Sequence, residues 1–107
     1  VAASALLGKT GLAYDDIHAI EINEAFAAVP LVSTLLMADK DARKAERIRS
    51  KTNLNGSAIA IGHPNTASGA RIIMTLMYEL RRRGGGYALG AICGGLAQAD
   101  ACLIKVG

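Results

Sequence analysis

Residues 51–72 read KTNLNGSAIAIGHPNTASGARI, and they decide how the rest of the chain is arranged. His63 stands between Gly62 and Pro64, after the apolar run Ser57 to Ile61 and before a stretch with helical spacing. The turn is crowded with small residues, so a ligand or another backbone can approach the imidazole closely. In α/β proteins an irregular turn at the end of an apolar segment is the usual place for chemistry. Ala58 to Ile61 is therefore expected as a strand, with Asn65 or Thr66 capping the helix that follows. The core stripe of that helix is expected at Ile73, Leu76, Met77 and Leu80, widened by Ala70, Ile72 and Met74. A helix so broadly apolar should be buried on more than one side.

Working outward from this stretch, Arg81 to Arg83 and Gly84 to Gly86 end the helix. Tyr87 to Cys93 and Asp100 to Val106 then read as two strands whose short connection makes them antiparallel neighbours. Upstream, Val1 to Leu7 favours a helix stopped by Gly8 or Gly11, and Ile17 to Ile22 alternates as a strand. At Asn23 the period changes to helical, with Glu24 in the first turn, and Pro30 forces a kink or a late start. Between Ala38 and Thr52 lies a charged segment, expected as a short exposed helix from Asp41 to Arg49 or as a loop. The order is α-β-α, a charged segment, then β-α-β-β.

The chain has 107 residues, 51% of them apolar, which suits one domain or part of one. It opens VAASALLGKTG without Met or a signal-type segment, so its start is expected to be a cut. No apolar run approaches the ~20 residues a membrane helix needs. The net charge of +3 comes from local clusters, Lys40 to Lys51 and Arg81 to Arg83. One Phe and no Trp make nucleic acid a poor partner. The clusters read as solvated faces, with an electropositive approach for an anionic cofactor as the alternative. Cys93 and Cys102 show neither CxxC pairing nor metal-type spacing, which fits a reduced, cytoplasmic setting.

Three polar candidates stand where strands would end: Asn23, His63 and Cys93. A histidine and a cysteine that converge can move protons, and an adjacent Gly-Gly lets backbone N–H groups face a developing oxyanion. Each has a plainer alternative: Asn23 as a helix cap, Cys93 as a buried small apolar residue. Cys102, mid-strand, and His18, near a strand start, are expected to be structural.

Three motifs carry a resemblance. They are Asn23-Glu24-Ala25-Phe26-Ala27, then Asn53 to Pro64 (NLNGSAIAIGHP) with Ala67 to Arg71 (ASGAR), then Cys93-Gly94-Gly95. Together with the lead-in at Gly11-Leu12 and Asp16-Ile17, they resemble the C-terminal domain of the thiolases, CoA-dependent acyltransferases. The resemblance spans residues 1–107 and implies an α/β fold, a mixed sheet with helices on its faces whose last two strands form an antiparallel pair. The family builds two similar α/β halves into a five-layer arrangement and works as dimers or tetramers. An N-terminal half would then carry the nucleophilic cysteine and most CoA nucleotide contacts, and the isolated chain should be inactive.

The resemblance also implies roles. His63 would activate the nucleophile and donate to the thioester oxygen, and Asn23 would hold a water completing that oxyanion hole. Cys93 would be the acid/base that exchanges a proton with the substrate α-carbon or the CoA thiol. The backbone N–H of Gly95 would donate to a second oxyanion hole, and Phe26 would line the pantetheine channel. No tightly bound cofactor is implied, with CoA entering as substrate or product and acyl-CoA as the partner molecule. Ser57 stands where the family usually has Gly. Asn65-Thr66 and Leu96 to Ala99 are likewise poorer in Gly than the common pattern. A ketoacyl synthase is the nearer alternative, which Cys93 disfavours. A non-catalytic acyl-CoA- or lipid-binding relative is the further one.

Overall fold

A computed structural model describes residues 1–96 and 98–107; Ala97, in the connection between the last two strands, lies outside the described residues. The elements are α1 (Ala2–Thr10), a 3-10 turn (Tyr14–Asp16), β1 (Ala19–Ile22), α2 (Ala28–Met37) and α3 (Ala42–Arg49). They continue with α4 (Ala58–Ile61), α5 (Ser68–Arg82), β2 (Gly86–Cys93) and β3 (Ala99–Val106). The sheet runs β1-β2-β3, with β1 parallel to β2 and β2 antiparallel to β3. The expected antiparallel pair is therefore present, in the register Gly86↔Val106 to Cys93↔Ala99.

Each face of the sheet has its own core. On one side Ala3 and Leu7 of α1, Ala38, and Ala45 and Ile48 of α3 pack with Ile17, Ile20, Ile22 and Leu89. On the other, Ile72, Leu76 and Leu80 of α5 pack on Ala19 and Ala88. Both sets follow from the period-2 alternation of strands meeting helical stripes at intervals of three and four. Leu80 and Leu89 are fully buried, and each such side chain contributes roughly 1.5–3 kcal/mol relative to exposure. At Gly90 a Cβ would stand 2.9 Å from the Sγ of its cross-strand partner Cys102 and 3.0 Å from Ile72 Cγ2, so the seating of α5 on β2 leaves no room for a side chain there. No helix is long and apolar enough to cross a membrane among the described residues.

The expected strand at Ala58–Ile61 is instead a single helical turn. The partner of β1 on its outer edge is Lys51–Asn53, not the apolar run. Ile20 N–H donates to Lys51 O (2.8 Å), and Asn53 N–H donates to Ile20 O (2.8 Å). There Asn53, at φ 52°, turns the backbone away, and its side-chain amide takes over the ladder. Asn53 Oδ1 accepts from Ile22 N–H (2.7 Å), and Nδ2 donates to Ile22 O (3.0 Å). With the edge so occupied, Ala58–Ile61 has nothing to pair with and closes on itself: Ala60 and Ile61 N–H donate to Ser57 O, and Ala58 O accepts from Gly62 N–H.

Helix α2 takes the late start that Pro30 was expected to allow, with the proline in its first turn, where a missing N–H costs nothing. Three smaller expectations are corrected, the first by that late start. Glu24 therefore lies outside the helix, and its Oε1 accepts from Ile59 N–H instead (3.4 Å). Neither Asn65 nor Thr66 caps α5, whose first turn begins after Ala67 without a side-chain cap. The buried stripe of α5 is Ser68, Ile72, Leu76, Glu79 and Leu80, while Ile73, Met74 and Met77 are exposed in this chain. Pattern reading missed the shift because two members, Ser68 and Glu79, are polar. The charged segment does form the short helix, with Asp41 Oδ1 accepting from Lys44 N–H at its start (2.9 Å).

Candidate active site at the carboxyl edge of the parallel strands

Strands β1 and β2 end side by side, since Ile22 pairs with Ala91. Asn23 follows β1, and its N–H donates to Ala91 O (2.9 Å), which extends the ladder by one residue. Cys93 closes β2 and is exposed and free. Asn23 and Cys93 thus leave the same sheet edge from adjacent parallel strands, the position where open α/β sheets bind ligands. His63 is delivered by another route, on the segment whose Ser57 hydroxyl donates to Ile22 O at the end of β1 (3.3 Å). It follows the turn α4 through Gly62, whose φ of 107° is accessible mainly to glycine. It is not at a strand end, which corrects one of the three expected placements.

Two contacts hold His63. Its Nδ1 lies 2.6 Å from the Oγ of Ser68, the buried first residue of α5, and the same Oγ lies 3.3 Å from Pro64 O. A carbonyl only accepts, so Ser68 donates to Pro64 O. Both contacts are satisfied when Nδ1–H donates to Ser68 Oγ. That tautomer leaves Nε2 without a proton and free to act as a base.

Asn23 is almost fully buried, and neither Oδ1 nor Nδ2 has a hydrogen-bond partner within the chain. It is not a helix cap. A buried primary amide with both ends unpaired costs free energy unless a water or ligand meets it, so it is the clearest mark of a binding position here. Phe26, three residues on, stands 76% exposed beside α2. Gly95, at φ 78°, turns the chain after Cys93, and its carbonyl accepts from Gln98 N–H (2.9 Å).

Behind these residues lies a polar layer that sequence patterns did not single out. Glu21 Oε1 accepts from Arg71 Nη1 (2.6 Å). Arg71 Nη2 donates to Ser57 Oγ (3.1 Å), which in turn donates to Ile22 O (3.3 Å). One signal was present: a carboxylate between Ile20 and Ile22 in a strand apolar on both sides needs a buried partner, and ASGAR supplies the cation. The spacing of five residues between His63 and Ser68, which suits a bond across the turn, is a second such signal.

Two of the basic residues between Lys40 and Lys51 belong to the fold. Lys51 Nζ donates to Tyr14 O (2.5 Å) and Ile17 O (2.6 Å), and its partial burial lowers its pKa. Arg49 Nε donates to Thr34 Oγ1 (2.9 Å) and its Nη2 to Leu31 O (3.0 Å), tying α3 to α2. His18 is exposed, and its Nδ1 accepts from Tyr87 N–H (3.1 Å), the structural role expected of it.

Comparison with known proteins identifies the family. Residues 1–106 match the family model described as thiolase, C-terminal domain. A probable acetyl-CoA acetyltransferase of Mycolicibacterium smegmatis is 47% identical over 91% of this chain and 23% of its own length. The mitochondrial 3-ketoacyl-CoA thiolase of Bos taurus is 48% identical over 97% of this chain and 24% of its own length. The crystal structure of human mitochondrial 3-ketoacyl-CoA thiolase in complex with CoA superposes with a TM-score of 0.78. It is 43% identical and covers 97% of this chain and 24% of that one. The chain thus spans about a quarter of the length of the relatives it matches.

Proposed function

The chain belongs to the thiolase family, and on that footing we propose that it is the C-terminal catalytic part of an acyltransferase that interconverts two acyl-CoA molecules with a 3-ketoacyl-CoA and CoA. The acetyl case, two acetyl-CoA giving acetoacetyl-CoA and CoA, is the reaction assigned first. What supports this is that Asn23, a buried amide without a partner, and Cys93, an exposed free thiol, leave one sheet edge from adjacent parallel strands, while the His63 ring is held by Ser68 at the start of α5.

In the cleavage direction, a cysteine outside this chain attacks the 3-keto carbonyl, and His63 Nε2 takes its proton. Negative charge develops on the carbonyl oxygen, toward which His63 and a water held by Asn23 supply donors. The bond between the α-carbon and that carbonyl carbon then breaks. Cys93 gives its proton to the departing α-carbon, while the backbone N–H of Gly95 faces the enolate oxygen. Next, CoA enters, Cys93 thiolate takes the thiol proton, and the CoA sulfur displaces the acyl group from the nucleophile. The nucleophile leaves as a thiolate and takes back the proton held on His63, so that both His63 and Cys93 end the cycle as they began it. Oxygen atoms carry charge at two separate carbonyls in succession, which is why two donor sets are useful. Phe26 lines the pantetheine approach, and the working protein is a homo-oligomer acting in the cytoplasm, with CoA as substrate or product.

The test is CoA-dependent cleavage of acetoacetyl-CoA by the full-length protein, with Cys93→Ala beside it. The expected result is activity in the parent and a loss of about 10²- to 10⁴-fold in the variant. An inactive parent with acetoacetyl-CoA and with longer 3-ketoacyl-CoAs would instead favour an acyl-CoA-binding module.

A further inference from the structure

The guanidinium of Arg71 ties together two of the backbone segments that deliver the site, those leading to Asn23 and to His63. Through Nη1 it holds Glu21, two residues before Asn23, at 2.6 Å. Through Nη2 it holds Ser57, at 3.1 Å, whose hydroxyl is fixed to Ile22 O and whose residue opens the turn leading into His63. Arg71 itself lies one helical turn after Ser68, the partner of the His63 imidazole. The Glu21 side chain is 2% exposed and that of Arg71 17%.

Such a pair is an expensive way to gain stability. Removing two charges from water offsets most of their attraction, and apolar residues of similar volume are often as good or better. What it supplies instead is direction, because a planar fork with two fixed donors sets the rotation of α5 against β1 and against the Ser57 turn. Ser57 sharpens the point. Its hydroxyl accepts from Arg71 and donates to Ile22 O, so one atom couples the second arm of the clamp to the end of β1.

Resting on the thiolase reading above, we infer that Arg71, with Glu21 and Ser57, is a positioning residue that sets the His63 imidazole against Asn23 and the reacting carbonyl. Without it the first turn of α5 rotates, Ser68 moves, and Nδ1 loses the bond that fixes its tautomer. Displacement of a reacting group by about 1 Å can cost 100-fold in rate. Lysine keeps the charge but reaches only one of the two acceptors.

The test uses the full-length protein and three variants: Arg71→Lys, Ser57→Gly, and the apolar pair Glu21→Leu/Arg71→Met. Arg71→Lys should lower kcat by about 10- to 100-fold with KM changed less than about threefold. Ser57→Gly, which removes only one arm, should lower kcat by less than about tenfold. The apolar pair should recover the melting temperature lost in Arg71→Lys and not its kcat. Recovery of kcat together with melting temperature would overturn the inference, because the ion pair would then matter to folding alone. A second readout is the ¹⁵N resonance pair of the His63 ring, assigned by its disappearance in His63→Asn. A single Nδ1–H tautomer is expected in the parent and a mixture in Arg71→Lys. A parent-like ring in Arg71→Lys would overturn positioning even where kcat falls. If the parent cleaves no 3-ketoacyl-CoA, the thiolase reading fails, and the ring resonances still decide whether Arg71 positions His63.

Discussion

Helix α5 carries a glutamate–arginine cluster at each end, and the two behave differently. Near its start, Arg71 meets Glu21 across the core, with side-chain exposures of 17% and 2%. Near its end, Glu79 receives Arg82, Arg83 Nε (2.9 Å) and Asn55 Nδ2 (3.1 Å) at the rim, where Arg82 is 63% exposed. The first pair joins residues 50 apart in sequence, the second residues three and four apart on one helix. Solvent screens the rim cluster, so it steadies the helix end and little else. Glu21 of the inner pair is only 2% exposed, so removing Arg71 leaves an uncompensated charge inside. The same residue types serve local stability at one end and geometry at the other.

The sharpest way to break this contrast is Arg71→Ala, which strands Glu21. A loss of roughly 3–5 kcal/mol is expected, seen as a lower urea midpoint of the full-length protein. Next comes Asn53→Ala, which removes both side-chain bonds to Ile22 and puts alanine at φ 52°. We expect about 1–3 kcal/mol for the unpaired Ile22 groups, measured the same way and with faster amide exchange at Ile22.

The smallest effect belongs to the rim. Hydrogen bonds from Arg82, then Asn55 and Arg83, hold the Glu79 carboxyl down at about 2, against its ordinary 4.5. A depressed carboxylate stabilises the folded state fully above its unfolded value and loses that contribution as pH falls through its folded one. The stability difference between the parent and Glu79→Gln should therefore be under about 1 kcal/mol near pH 7. It should shrink as the pH falls from 4.5 toward 2, in thermal unfolding followed across that range. A difference as large at pH 3 as at pH 7 would place Glu79 with the inner cluster.

Much of this was legible in advance, and the failures share one cause. The alternation of Ile17 to Ile22, the hairpin at Tyr87 to Val106 and the late start forced by Pro30 depend on neighbours in sequence, and the structure carries all three. The misread turn at Ala58–Ile61 depends on Asn53, whose amide replaces a peptide in the ladder of a strand 31 residues away. The shifted stripe of α5 depends on Ser68 and Glu79, buried because His63 and a set of arginines and Asn55 satisfy them. Periodicity registers apolar burial and is blind to polar groups buried by partners distant in sequence. Asn23, His63 and Cys93 stand out by motif, though His63 follows a helical turn and not a strand, whereas the link joining Glu21, Arg71 and Ser57 appears only once β1 and α5 are in contact.

The most direct measurement is deuterium exchange at the methyl group of acetyl-CoA in D₂O, followed by NMR, with the full-length protein and with Cys93→Ala. If Cys93 is the group that trades a proton with the α-carbon, the parent exchanges the methyl protons. The variant should not, while its nucleophile still becomes acetylated by acetyl-CoA, as read by intact mass. Exchange that continues unchanged in Cys93→Ala would contradict the division of labour between Cys93 and His63.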